Sequence, residues 1–295
     1  MNKPSELFYQ SKYAESLSLE GIYLLGFGFD GTACFRKGTA FGPDGLREVS
    51  DGIESYSPYL DRDTSDVPLF DLGNLPVGES DDIEQNWWKG VNAFRDLVQD
   101  TNLEEKKIKL LTIGGEHSIS YAPIVEMLQT YDDLVILHLD AHADLRDGYE
   151  GHQYSHASII RRTLDHMSTE QDLIQYGIRS GTKEEFQWMK DNGTLCKSRS
   201  EFLAKVEAIS SDRPIYLTLD LDYFDPSFLP GTGTPEAGGE DFHSFISLVK
   251  ILIKKNLVGA DVVELSPPID STGNSSVFAA KVVRELILAM ENLNE

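Results

Sequence analysis

Three short stretches of the chain concentrate side chains that bind divalent cations. They are Gly114-Gly115-Glu116-His117-Ser118, Asp140-Ala141-His142-Ala143-Asp144 and Asp220-Leu221-Asp222. Brought together, Asp140, Asp144, Asp220 and Asp222 would carry four negative charges. Carboxylates a few ångströms apart raise one another's pKa until some protonate. Two divalent cations remove that conflict, and His117 and His142 add neutral nitrogen ligands. The set is rich in oxygen and holds no thiolate. It suits manganese or magnesium better than structural zinc, and the two imidazoles tilt it toward manganese. Affinity order alone leaves zinc, nickel and cobalt open. Taken singly, each stretch reads as a solvated loop, an acidic turn or a hydrogen-bonded histidine. Convergence of all three argues for a site.

Spacing adds a geometric expectation. Residues i and i+2 of a strand point to the same side, ~6.6 Å apart. Asp220 and Asp222 on a strand could thus flank two metals ~3.5–4 Å apart. Asp140 and Asp144 would lie ~13 Å apart if their strand continued. The strand is therefore expected to end at Asp140, with a loop carrying His142 and Asp144.

The elements that must position these residues are visible as apolar runs at 22–25, 108–113, 134–139, 173–178, 215–219 and 258–265. Continuous apolar runs, as opposed to alternating ones, indicate strands buried on both faces. Helical patterns lie between and after them, at 87–98, 118–128, 241–253 and 277–293. The expectation is an α/β fold: three layers, α/β/α, around a central mainly parallel sheet, with residues 1–295 as one domain. Such sheets bind ligands at the carboxyl ends of their strands. The polar clusters follow the runs ending at Ile113, Leu139 and Leu219, and Glu264 closes the last run.

The chain has 295 residues, 40% hydrophobic, with 26 Lys and Arg against 49 Asp and Glu, a net charge of −23. Such a surface repels nucleic-acid phosphates and anionic membranes and attracts a small cation. No run approaches the ~20 apolar residues that span a bilayer. Without the apolar run of a signal peptide near Met1, a cytoplasmic location is expected. Cys34 and Cys196 form neither a metal pattern nor a disulfide framework. Gly26-x-Gly28-x-x-Gly31 follows a strand, but a dinucleotide fingerprint needs a helix opening on its third glycine, and Thr32-Ala33-Cys34-Phe35 does not look like one. Gly231-Thr232-Gly233-Thr234 lacks a phosphate-loop ending and reads as a flexible pocket wall.

These motifs, joined by Phe29-Asp30-Gly31-Thr32, by 220–236 and by Glu264-Leu265-Ser266-Pro267-Pro268, resemble the ureohydrolases, the arginase and agmatinase family, over nearly the whole chain. The resemblance implies a binuclear manganese centre. His117, Asp140, Asp144 and Asp220 would bind one ion; Asp140, His142, Asp220 and Asp222 would bind the other. It implies cleavage of a guanidinium group with release of urea, and homotrimers or homohexamers. Asp144 would hold the nucleophile and pass its proton to the leaving amine. Glu264 would pair with the guanidinium through two parallel hydrogen bonds. His156 resembles the histidine that moves protons near the leaving group.

The segment 145–155 departs from the arginase pattern and looks like the agmatinase branch. Asp147 and Glu150 would repel a carboxylate and favour the terminal ammonium of agmatine, while Arg146 opposes that preference. Ser155-His156-Ala157 occurs in a subgroup that includes hydrolases of aminopropylagmatine. The expected reaction is agmatine to putrescine and urea with two Mn2+ per chain, Ni2+ being a substitute. Aminopropylagmatine, guanidinobutyrate, guanidine and arginine are the alternative substrates. A one-zinc amide deacetylase and a non-catalytic metal-binding relative are the readings from other classes.

Overall fold

The computed structural model describes residues 1–291. Strands are β1 (Lys12–Tyr13), β2 (Gly21–Phe27), β3 (Tyr56–Ser57), β4 (Arg62–Asp63), β5 (Leu69–Asn74), β6 (Ile108–Gly114), β7 (Val135–Leu139), β8 (Asp172–Tyr176), β9 (Pro214–Asp220) and β10 (Asn256–Val263). Helices are α1 (Gly42–Ser50), α2 (Ile83–Val98), α3 (Tyr121–Thr130), α4 (Ile159–Leu164), α5 (Lys183–Asn192), α6 (Arg199–Ala208), α7 (Phe242–Leu252) and α8 (Asn274–Met290). Eight strands form one sheet in the order β1-β5-β2-β6-β10-β9-β7-β8, and β3 and β4 make a separate hairpin. Every pairing within the large sheet is parallel.

Successive side chains of a strand face opposite ways, so a doubly buried strand feeds two cores. Ile22 and Leu24 join a core built with α1, α6, α7 and α8. Tyr23, Leu25 and Phe27 join the other, built with α2, α3, α4 and α5. Val135, Leu137 and Leu139 face the first core and Ile136 the second. The three layers follow from that alternation. Helix starts are fixed by side-chain caps: Asp82 accepts the Gln85 amide and Asp241 the Ser244 amide. A Thr182/Glu185 capping box opens α5.

The six apolar runs are β2, β6, β7, β8, β9 and β10. The helical pattern at 277–293 belongs to α8, although its last two residues lie outside the described residues. Strand β5, Leu-Phe-Asp-Leu-Gly-Asn, was hidden because Asp71 interrupts it. That carboxylate is buried and accepts two nitrogens of the equally buried Arg47, so the fold accommodates a charge that the hydropathy pattern reads as solvent-facing. No helix opens on Gly31; the next helical residues are a 3-10 turn at Thr39–Phe41. No described helix is long and apolar enough to cross a membrane.

One feature of the order matters for the site. β10 is the last of the described strands in sequence, yet it lies between β6 and β9. The four strands that carry the polar motifs, β6, β10, β9 and β7, are consecutive neighbours.

Candidate metal centre

Each motif leaves its strand at the same end of the sheet. His117 opens a 3-10 turn after β6. Asp140 follows β7, and the chain then turns as spacing demanded. Asp144 sits in the left-handed region at φ 53° and Glu264 at φ 67°. A non-glycine residue pays for that conformation and holds it only where its surroundings insist, which is common at functional sites. The 220–222 pair corrects the sequence expectation: Asp220 ends β9, but Asp222 lies in the 3-10 turn Leu221–Tyr223. The turn brings the two carboxylates to the cluster by a route other than strand periodicity.

Backbone amides pin one oxygen of each central carboxylate. Asp140 Oδ1 accepts the His142 amide at 2.6 Å, Asp220 Oδ1 the Asp222 amide at 2.8 Å, and Asp222 Oδ1 the Ala141 amide at 3.1 Å. The opposite oxygens converge. His117 Nδ1 lies 3.0 Å from Asp140 Oδ2, 3.1 Å from Asp144 Oδ2 and 3.4 Å from Asp220 Oδ2. His142 Nδ1 lies 2.9 Å from Asp222 Oδ2 and 3.6 Å from Asp140 Oδ1. The residues named from sequence as metal ligands thus come together around Asp140: His117, Asp140 and Asp144, joined by His138, form one group that could hold an ion, Asp140, His142 and Asp222 a second, and Asp220 stands against the first through His117.

The imidazole of His117 tests whether a cation fits. Its Nε2 is 2.8 Å from the Thr218 hydroxyl, which itself donates to Asp261 Oδ1 at 2.7 Å. An oxygen that has given away its only hydrogen must accept, so Nε2 carries the proton. Nδ1 is buried and faces three carboxylates; burial opposes a charge there, but the acids Asp140, Asp144 and Asp220 outweigh it and raise the affinity of this nitrogen for positive charge well above the ordinary imidazole. Lone pairs do not gather this way without positive charge between them. A divalent cation supplies it, and the oxygen-rich donor set with imidazole nitrogen suits one.

Without cations the acids strain against each other. Burial, then the charges of Asp222 and Asp140, raise the Asp220 pKa well above the usual carboxylate range. Burial and the Asp140 charge push Asp144 up to about 6. Burial would raise Asp140 too, but hydrogen bonds from His117, His138 and His142 outweigh it and hold it ionised. His138 was not singled out in the sequence. It stands two residues before Asp140 on β7, and i, i+2 alternation could have found it. Its Nε2 is 2.8 Å from Asp140 Oδ2, and Gln175 Nε2 meets its Nδ1 at 3.1 Å. Such outer partners orient ligands and tune affinity.

Beside the cluster opens a cavity of about 250 Å³. His156 and Glu264 line it, as do Arg146, Tyr149 and Glu185. Glu264 Oε1 accepts the His117 amide at 2.8 Å. Burial and the charge of Glu116 raise the Glu264 pKa well above its ordinary value, a cost that a cation placed beside it would remove. Burial and the neighbouring His142 and His117 charges lower His156 to about 4, so its imidazole is neutral at neutral pH. Asp147 and Glu150 do not line this cavity. Asp147 takes the Arg162 guanidinium while its side chain stays 82% exposed, and Glu150 is exposed in the adjoining turn. Besides Glu264 and the clustered Asp144 and Asp220, the cavity wall holds Glu185, whose oxygens accept the Leu145 and Thr182 amides at 2.9 and 2.7 Å. The wall at 231–234 is not loose: Arg36 donates to the carbonyls of Thr232 and Gly233 at 2.7 and 3.1 Å.

A parallel α/β sheet with a buried aspartate–histidine cluster across its central strand ends, opening on a small acidic cavity, defines a metal-dependent hydrolase. The arginase family model matches residues 20–289. An agmatinase from Bacillus anthracis is 39% identical over 282 residues, covering 90% of this chain and 91% of that protein. The N(1)-aminopropylagmatine ureohydrolase of Thermococcus kodakarensis is 34% identical over 249 residues, 82% of each. The crystal structure of the agmatine ureohydrolase of Thermoplasma volcanium superposes with a TM-score of 0.77 at 27% identity, covering 92% of this chain and 90% of that one. The chain belongs to the arginase family and is a ureohydrolase of its agmatinase branch.

Proposed function

We propose that this protein hydrolyses agmatine to putrescine and urea, with two Mn2+ held by His117, Asp140, Asp144 and Asp220 and by Asp140, His142, Asp220 and Asp222. The observation that carries the reading is the buried His117 Nδ1 facing three carboxylate oxygens, beside a cavity that Glu264 lines. Divalent cations, when bound there, supply a nucleophile from water at neutral pH.

The chain's own groups do the rest. Glu264 keeps one oxygen on the His117 amide and presents its carboxylate to the guanidinium, fixing the plane of that group by paired hydrogen bonds. Asp144 holds the nucleophile's hydrogen bond and hands its proton on to the leaving amine. His156, neutral and at the cavity wall, exchanges a proton near the same atom. The terminal ammonium of the substrate meets the carboxylate of Glu185, the role first expected of Asp147 and Glu150. Arg146, stacked 4.5 Å over the Tyr149 ring, stands at the same wall and bounds the tail length accepted. The relatives' names support agmatine or its aminopropyl derivative. We further infer one domain over 1–295, a homotrimer or homohexamer, a cytoplasmic location and a part in polyamine synthesis.

Urea release with manganese, run across agmatine, aminopropylagmatine, guanidinobutyrate, guanidine and arginine, tests the reading. Agmatine should give the highest kcat/KM; a preference for arginine would overturn the assignment of the 145–155 segment.

A further inference from the structure

Glu116 is a buried carboxylate that the metal centre does not use. It is fully enclosed, one residue before His117, and all its hydrogen bonds among the described residues come from donors. Its Oε1 accepts the hydroxyls of Thr32, 2.5 Å away, and of Ser118, 2.6 Å away; its Oε2 accepts the Thr32 amide at 2.8 Å. Thr32 therefore has no freedom. Its single hydroxyl hydrogen is committed to Glu116, and both lone pairs are left to accept. One takes the His156 backbone amide at 3.1 Å, the other His156 Nδ1 at 3.2 Å. An accepting oxygen opposite Nδ1 requires a hydrogen on Nδ1. Nε2, across the ring, is then the bare nitrogen of a residue that lines the cavity.

We propose that Thr32 and Glu116 are positioning residues: Glu116 sets the direction of the Thr32 hydroxyl, which holds the His156 proton on Nδ1 and reserves Nε2 for proton exchange with the substrate. The proposal rests on the reading of His156 as the group that moves a proton during urea release. The geometry explains why a buried acid sits behind a neutral imidazole without touching it. A carboxylate bonded directly to the imidazole would favour its charged form, whereas an intervening hydroxyl fixes the tautomer and keeps the acid one bond further away. The two partners come from far apart, Thr32 after β2 and Glu116 after β6, whose last paired residues are Phe27 and Gly114. The tautomer is thus set by sheet register.

The test reads the tautomer itself. Histidine-labelled, metal-free protein is examined by imidazole nitrogen NMR, with His156→Asn to assign the resonance. Wild type should carry the proton on Nδ1; Thr32→Ser should keep it there; Thr32→Val and Glu116→Gln should give a mixture. In manganese-loaded enzyme, Thr32→Val should lower kcat roughly tenfold to a hundredfold with KM within about twofold, and Thr32→Ser should restore it. A wild-type proton on Nε2, or an unchanged tautomer and kcat in a Thr32→Val protein with a native melting curve, would overturn the proposal. If Thr32→Val does not fold, Glu116→Gln and Thr32→Ser decide by the same spectra. Absence of urea release from the wild type would sink the functional reading and leave the tautomer result standing on its own.

Discussion

Glu264 accepts the backbone amide of His117 at 2.8 Å, a bond between residues 147 positions apart in the chain. The carboxylate proposed to orient the guanidinium is thereby tied to the residue whose side chain faces the metal cluster. Replacing it with glutamine keeps an oxygen for that amide but removes the charge offered to the substrate. Glu264→Gln should retain bound metal and lower kcat/KM for agmatine roughly tenfold to a hundredfold, the worth of a charged hydrogen bond. Metal content and steady-state kinetics on the same preparation check it; unchanged kinetics would remove Glu264 from substrate binding.

Asp140 lies in both candidate ion groups and Asp220 lies against His117. Asp140→Asn or Asp220→Asn should abolish urea release and lower the metal content per chain, read by elemental analysis after dialysis. Full metal content with normal turnover in either variant would remove the assignment.

Among the described residues, the hydrogen bonds of His156 run to Thr32 and no ion pair joins it to the clustered carboxylates. His156→Ala should leave bound metal unchanged while kcat falls by roughly 10²–10⁴, the range for losing a positioned proton-transfer group. Wild-type turnover would return His156 to a structural role.

Asp144 gives a pH signature in the metal-free protein. Its folded pKa is about 6, raised by burial and then by Asp140, against an unfolded value of about 3.9. The folded state thus binds the extra proton, and the group costs stability once pH climbs past the unfolded pKa, until the cost levels off above the folded one. Relative to wild type, metal-free Asp144→Asn should gain melting temperature between pH 4 and pH 7 and then plateau. Adding manganese should reverse the order, since the wild type keeps the ligand. A flat difference between the two proteins would show that Asp144 does not bear this strain.

Strands buried on both faces were legible because apolar residues dominate them without alternation, as in Val-Ile-Leu-His-Leu of β7 and Ile-Tyr-Leu-Thr-Leu within β9. The site was legible because its acids follow those strands directly. Apart from His138, whose signal was the local alternation of β7, what escaped detection shares one cause: the signal lies in pairing across the fold. Asp71 looks like a break until Arg47 meets it. Glu185 reads as the third residue of a capping box and only the packing of α5 brings it to the cavity. Asp147 and Glu150 had the right charge in the right segment, but Arg162 draws Asp147 aside. Thr32 and Glu116 are ordinary residues until β2 and β6 pair in parallel.

The placement of β10 has a consequence for how the protein is made. It is the last of the described strands along the chain, and it fills the gap between the β6 and β9 halves of the sheet. Until it is inserted, no strand joins β6, which leads into His117, to β9, which ends at Asp220. A chain arrested before residue 256 could still pair β7 with β9 and bring Asp140, His142 and Asp222 together, but β6 would have no strand to seat His117 beside them, so the full donor set would wait for β10.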